Sequence, residues 1–166
     1  MFGIKWKCRH CGQAHDDMPV CFGIEAPWRA LVSEEAFHSR VELSDSWCVV
    51  DNEHFFVRGH IEIPIINHAT PLTFSVWSSL SEENFNRRQD RWNDPDRGYD
   101  PPSFGWLCSP IRPYDPVLHL PLLVQDREPG IVPLFTVTQI DHTLAVDQRN
   151  GITIAQWHKM VLSLLH

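Results

Sequence analysis

Along HFFVRGHIEIPII at 54–66, Phe55, Val57, Ile61 and Ile63 share one parity, while His54, Arg58, His60 and Glu62 share the other. Successive side chains of a strand point to opposite faces, which predicts a half-buried strand whose first set packs a core and whose second set is free to bind something. SWCVVD at 46–51, followed by Asn52 and Glu53, predicts the other arm of a β-hairpin. Further strands are predicted over 3–7, 70–80, 117–126 and 131–141. The last two flank Glu128-Pro129-Gly130, and Pro121 and Pro133 push both toward edge or bulged positions. Helical signals are sparser. The stretch 31–43 offers Ser33 as an N-cap with Glu34 and Glu35 in the first turn, and 81–92 offers Ser81 with Phe85 and Trp92 on one face. A final helix from about Ile152, capped by Thr153, carries Ile154, Trp157, Val161, Leu164 and Leu165 as an apolar stripe. The Pro-rich segment 93–116 reads as mainly loop. Strands joined mostly by hairpins, with few helices, predict an α+β fold on an antiparallel sheet.

The chain has 166 residues, which predicts a single domain over 1–166 that buries roughly 70% of the surface its unfolded chain would expose. No apolar run approaches the roughly 18 residues of a membrane span, and MFGIKWKC shows no cleavable leader, so a cytoplasmic location is expected. The net charge of −7 opposes the phosphate backbone of nucleic acids and favours a basic protein as partner. Lys5, Lys7, Arg9 and His10 form the one local basic cluster, around the first cysteines.

Cys8 and Cys11, in CRHCG, stand in C-x-x-C spacing among five cysteines. In a reducing compartment that spacing favours metal or redox chemistry over a disulfide framework. A thioredoxin-like site would place the motif at the start of a helix, but Gly12 follows at once and no helical pattern does, so the expected form is a structural zinc knuckle over residues 1–20, packed on the α+β body. Among possible catalytic groups, DHTLAVDQR gathers Asp141, His142, Asp147 and Arg149, yet no nucleophile elbow, zincin helix, phosphate loop or dinucleotide fingerprint accompanies them. Tyr99, Phe104, Trp106 and Tyr114 put four rings into the Pro-rich segment, a candidate partner-binding surface.

CRHCGQAH, HFFVRGHIEIPI, SVWSSLSEENF at 75–85, PPSFGWL at 101–107 and DHTLAVDQRNGIT at 141–153 together resemble a bacterial family known only as a domain of unknown function. The resemblance implies ligands rather than a reaction: its pattern pairs the C-x-x-C-G with a Cys at the place of Cys48 and often another where this chain has His60. Cysteine and histidine both suit zinc. Cys8, Cys11, Cys48 and His60 are therefore the expected zinc ligands, with Cys48 and His60 converging across the hairpin if its turn is bulged; His15 and Cys21 are the local alternatives. The expectation that follows is a small, non-enzymatic zinc-binding protein that acts by binding another protein, one concrete form being an antitoxin or immunity protein that neutralises a basic toxin. The alternative is a metal-dependent hydrolase whose zinc keeps an open position.

Overall fold

The computed structural model describes residues 6–7, 14–15 and 18–165. In chain order the strands are β1 (Trp6–Lys7), β2 (Ala14–His15), β3 (Cys21–Gly23), β4 (Val41–Leu43), β5 (Trp47–Val50), β6 (His54–Ile63), β7 (Leu72–Leu80), β8 (Ser103–Trp106), β9 (Pro121–Gln125) and β10 (Leu134–Val137). The helices are α1 (Phe37–Arg40), α2 (Glu82–Asp90), α3 (Thr143–Asn150) and α4 (Ile154–Leu165). The fold is α+β, with a sheet that is mixed rather than antiparallel.

The hairpin of β5 and β6 forms as its pattern requires, with Trp47 opposite Val57 and Val50 opposite His54. Asp51 and Asn52 turn it in the left-handed region at φ 55° and 52°, which short polar side chains tolerate. Phe55, Val57, Ile61 and Ile63 are buried in the main core. On the opposite face His54, Arg58, His60 and Glu62 stay exposed or half-buried, whereas Phe56 joins a second cluster with Trp28, Val41, Cys48, Val50 and Trp77.

The whole of β7 pairs with β6, from Phe55 opposite Leu80 to Ile63 opposite Leu72. The far edge of β6 takes β10 in parallel at Leu134 and His60, and β9 and β8 follow antiparallel. The path then returns to β7: Leu107 bridges Ser78, Cys108 N donates to Trp77 O at 2.8 Å, and Trp106 N donates to Ser79 Oγ at 3.1 Å. Five strands thus close a ring around Ile61, Phe74, Val76, Leu122 and Phe135. Two glycines permit the closure. A Cβ on Gly59 would lie 2.2 Å from the Phe135 ring, and one on Gly105 would lie 2.2 Å from Ser78 Oγ and 2.4 Å from Ser79 O.

Several expectations need correction. β3 runs parallel to β7 and β10 parallel to β6, because ring closure joins segments far apart in sequence, whereas local patterning specifies only neighbouring hairpins. Pro121 opens β9 and Pro133 immediately precedes β10, so neither strand lies at an edge; at these positions the missing N–H costs the ladder little. The stretch 31–43 becomes a 3₁₀ turn at Glu34–Ala36, the short α1, and β4, and Ser33 makes no side-chain cap bond. In contrast Ser81 accepts from Asn84 N and Thr153 Oγ1 from Gln156 N, so α2 and α4 begin as expected. α3 is a helix the pattern did not disclose. Its Leu144 and Ala145 enter the core where β10 diverges from β6, and Gln148 occupies the missing strand's place: its Nε2 donates to Phe135 O (2.6 Å) and its Oε1 accepts from Val137 N (3.0 Å). α4 buries Trp157 and Val161, and the Trp157 indole donates to Pro19 O.

Candidate functional site

β8 reverses the usual burial pattern. Ser103 and Gly105 face inward, where β7 leaves no room for bulk, and Phe104 and Trp106 point outward at 48% and 46% exposure. Their rings meet edge to face with centroids 4.9 Å apart. Across the sheet, Phe104 stands opposite Leu123 and Leu123 opposite Thr136, while Trp106 stands opposite Pro121. Leu123, of opposite parity to the buried Leu122 and Val124, is exposed, and Ile140 just beyond β10 is 72% exposed. Beside this row lies a groove of about 510 Å³ lined by Glu62, Leu134, Thr136, Thr138, Ile140 and Arg149 among others. Aromatic rings beside aliphatic side chains on a rigid sheet, next to a groove with a few polar groups, form a surface suited to a protein partner.

Of the four rings expected in the Pro-rich segment, Tyr99, Phe104 and Trp106 are exposed and Tyr114 is not. Tyr114 packs edge-on against Phe74 and donates its hydroxyl to Asp147 Oδ2 at 2.8 Å. Burial and the neighbouring Asp147 carboxylate both hold its proton on, raising its pKa. Leu123 and Ile140 escaped attention because each looks like core in a linear pattern; only the parity of PLLVQ marks Leu123 as outward.

Of the expected metal ligands, only Cys48 and His60 fall among the described residues. Cys8 and Cys11 lie outside the described residues, in the connection between β1 and β2, whose register sets Trp6 opposite His15 and Lys7 opposite Ala14. Cys48 stands opposite Phe56, four residues before His60 on β6, a separation along the strand of roughly 13 Å at about 3.3 Å per residue. The structure therefore does not bring Cys48 and His60 together, since the turn carries no bulge that would slide one arm along the other. Cys48 is fully buried, and burial pushes its thiol up to about 11. His60 sits half-buried between Ser75 and Leu134; burial and then Arg127 lower its pKa, Arg58 adds to this, and Glu62 opposes it. Cys21 is exposed on β3. Among the described residues no group of three His, Cys, Asp or Glu side chains converges as a metal site.

The polar block at 141–149 builds structure. His142 caps α3, its Nδ1 accepting from Leu144 N at 3.0 Å, which leaves Nε2 to donate to Pro116 O at 3.2 Å. Asp147 is held by Tyr114, and Arg149 Nη1 donates to Ile140 O. With both ring nitrogens engaged by main chain, His142 is poorly placed to take a proton from a substrate.

No helix of the described residues is long and apolar enough to cross a membrane. Neither the curated proteins nor the solved structures include a significant match to the chain. The model of DUF2199, an uncharacterized protein conserved in bacteria, matches residues 7–152 and so spans all ten strands except Trp6 together with α1 to α3: the chain belongs to this bacterial family.

Proposed function

We propose that the chain acts by binding another protein through the outer face of β8, β9 and β10, and catalyses no reaction of its own. The outward Phe104–Trp106 pair carries this reading. A strand that turns Ser and Gly inward and two aromatic rings to water leaves apolar surface whose burial is worth roughly 25 cal/mol per Å². Trp is the most effective anchor of protein interfaces, and an edge-to-face neighbour fixes its orientation before contact. The net charge of −7 favours a basic partner by steering encounter. A basic toxin neutralised by this domain, as an antitoxin or immunity protein would act, has that character.

A zinc ion on Cys8 and Cys11 fits the same reading as a structural element. Cys8 and Cys11 fall in the sequence between β1 and β2, which pair antiparallel, and two thiolates so close in sequence supply half of a tetrahedral site. The register of β5 on β6 counts against Cys48 with His60 for the other half, which leaves His15 and Cys21 as the alternatives.

The test is capture from the source cell with tag-free protein, followed by affinity measurement on the purified pair. Trp106→Ala with Phe104→Ala should weaken binding by at least about tenfold with unchanged melting, and association should slow as salt rises. A captured partner indifferent to both substitutions would sink the proposed face. Turnover of a small substrate by metal-loaded protein, with no partner bound, would replace this reading with the metal-dependent hydrolase.

A further inference from the structure

Between α2, β6 and the segment before β10 lies a cavity of about 170 Å³ lined by Ser46, Arg58, Arg88, Trp92, Arg97 and residues 130–133. Its charged lining is three arginines and no carboxylate. In a chain of net charge −7 this is a local inversion of sign.

Their side-chain bonds show how little of that charge is neutralised. Arg88, only 7% exposed, meets Asp126, but its Nε and Nη2 both reach the same oxygen, Oδ1, at 2.8 and 2.6 Å, and Nη1 takes no part in the pair. Arg97, 5% exposed, bonds only to main-chain carbonyls: those of Trp92, Arg127, Glu128 and Ile131. Among the described residues it has no carboxylate partner, and its guanidinium lies 5.3 Å from the centre of the Trp92 ring. Arg58 directs Nη1 to Ser75 Oγ, and its buried Nε has no hydrogen-bond partner among the described residues. Three guanidiniums against one carboxylate leave an excess of two positive charges. Buried charge that lacks a counter-ion is costly, and the excess is relieved by an anion in the cavity.

We infer that this cavity binds a phosphate group, with Arg88 and Arg97 as the contacting cations. A dianion neutralises the excess where a monovalent carboxylate leaves half of it. The pair with Asp126 fixes the guanidinium plane of Arg88 and leaves Nη1 as a charged donor for a phosphate oxygen. Arg97, already fixed by four carbonyls, supplies a pre-organised positive charge that need not be ordered on binding. Trp92, Ile131, Val132 and Pro133 wall the cavity with apolar surface, which strengthens charge–charge attraction within it.

The experiment titrates the full-length protein with inorganic phosphate at constant ionic strength, reading the melting temperature and the ³¹P linewidth. O-phosphoserine in a parallel arm distinguishes free phosphate from a phosphate ester, and acetate tests the charge argument. Phosphate or its ester should raise the melting point saturably and broaden the resonance, with acetate at least about tenfold weaker. Two variants report on the site: Ser46→Asp, which sets a carboxylate on the wall, and Arg88→Gln combined with Asp126→Asn, which removes the pair without stranding a charge. Each should weaken phosphate binding at least about tenfold; if the double variant fails to fold, Ser46→Asp decides. The inference is overturned if phosphate has no effect beyond that of chloride at equal ionic strength, or if the folded variants bind it as the parent does.

Discussion

Replacing Gly59 by alanine tests the ring of strands at its tightest point. The added methyl would lie 2.2, 2.4 and 2.6 Å from Cε1, Cζ and Cδ1 of Phe135. Carbon atoms pack at about 3.5–4.0 Å, so the ring must move by more than about 1 Å. It has nowhere to go: Phe135 is fully buried, and β6 is held by β7 from Phe55 to Ile63. Overpacking of this kind costs about 1–3 kcal/mol, and a clash with three ring atoms belongs at the upper end. For a chain of this length about 3 kcal/mol corresponds to a melting point lower by roughly 6–12 °C. Phe135→Leu alone should cost about 1–2 kcal/mol, and the double variant should be more stable than the sum of the singles by at least about 1 kcal/mol, because the methyl enters space the ring has left. Urea denaturation of the four proteins measures the cycle. Additive singles, or a Gly59→Ala protein melting within about 2 °C of the parent, would refute the close approach of β6 and β10.

Gly105→Ala should destabilise by about 3 kcal/mol or more, and Ser78→Ala should not rescue it, because the Ser79 carbonyl stands 2.4 Å from the new methyl and backbone cannot yield; full rescue would argue against ring closure at this point. Tyr114 gives a pH dependence: its proton is held more tightly in the folded state, while the unfolded phenol ionises near pH 10, so its contribution to stability is present below that pH and is lost as pH rises above it. Tyr114→Phe should cost about 1–2 kcal/mol at neutral pH and flatten that alkaline loss; identical slopes from pH 9 to 11 would contradict the assignment. For the metal, Cys8→Ser or Cys11→Ser should lower both zinc content and melting temperature, Cys21→Ser should lower zinc content, and Cys48→Ser and His60→Ala should spare it; the reverse pattern would restore the cross-hairpin set. In folded protein stripped of zinc, iodoacetamide should label exposed Cys21 and reach Cys48 only after unfolding, and equal rates would show that β5 opens readily.

The strands with alternating burial were legible from sequence, as were the caps at Ser81 and Thr153, because parity and capping are local properties. β8 was hidden since its aromatic residues face water and its small residues face the interior, the inverse of the pattern that marks a strand, and two prolines precede it. α3 was hidden behind polar residues that serve as cap and strand surrogate. Parallel pairing of β6 with β10 joins residues more than seventy positions apart, and no local signal encodes it. At the candidate surface Phe104 and Trp106 could be nominated from composition, but their outward orientation rests on the squeeze of Gly105 against Ser78. The misplacement of Tyr114 has the same origin, a ring whose hydroxyl finds its partner on a helix that the pattern did not reveal.

Gln148 completes hydrogen bonds that a strand would otherwise make, and it lies eleven residues beyond the end of β10. Translation imposes an order on that arrangement. A bacterial ribosome adding about 5–20 residues per second makes the stretch from the end of β7 to β10 in roughly 3–11 s, and Gln148 follows on the order of a second later. Until that interval ends, the β6–β7 ribbon can pair with the earlier β5 and β3 but lacks β10 and β8, and Ile61, Phe74 and Val76 lack Leu122 and Phe135 to cover them. The ribbon is therefore most exposed to aggregation before β8, β9, β10 and α3 exist to cover it.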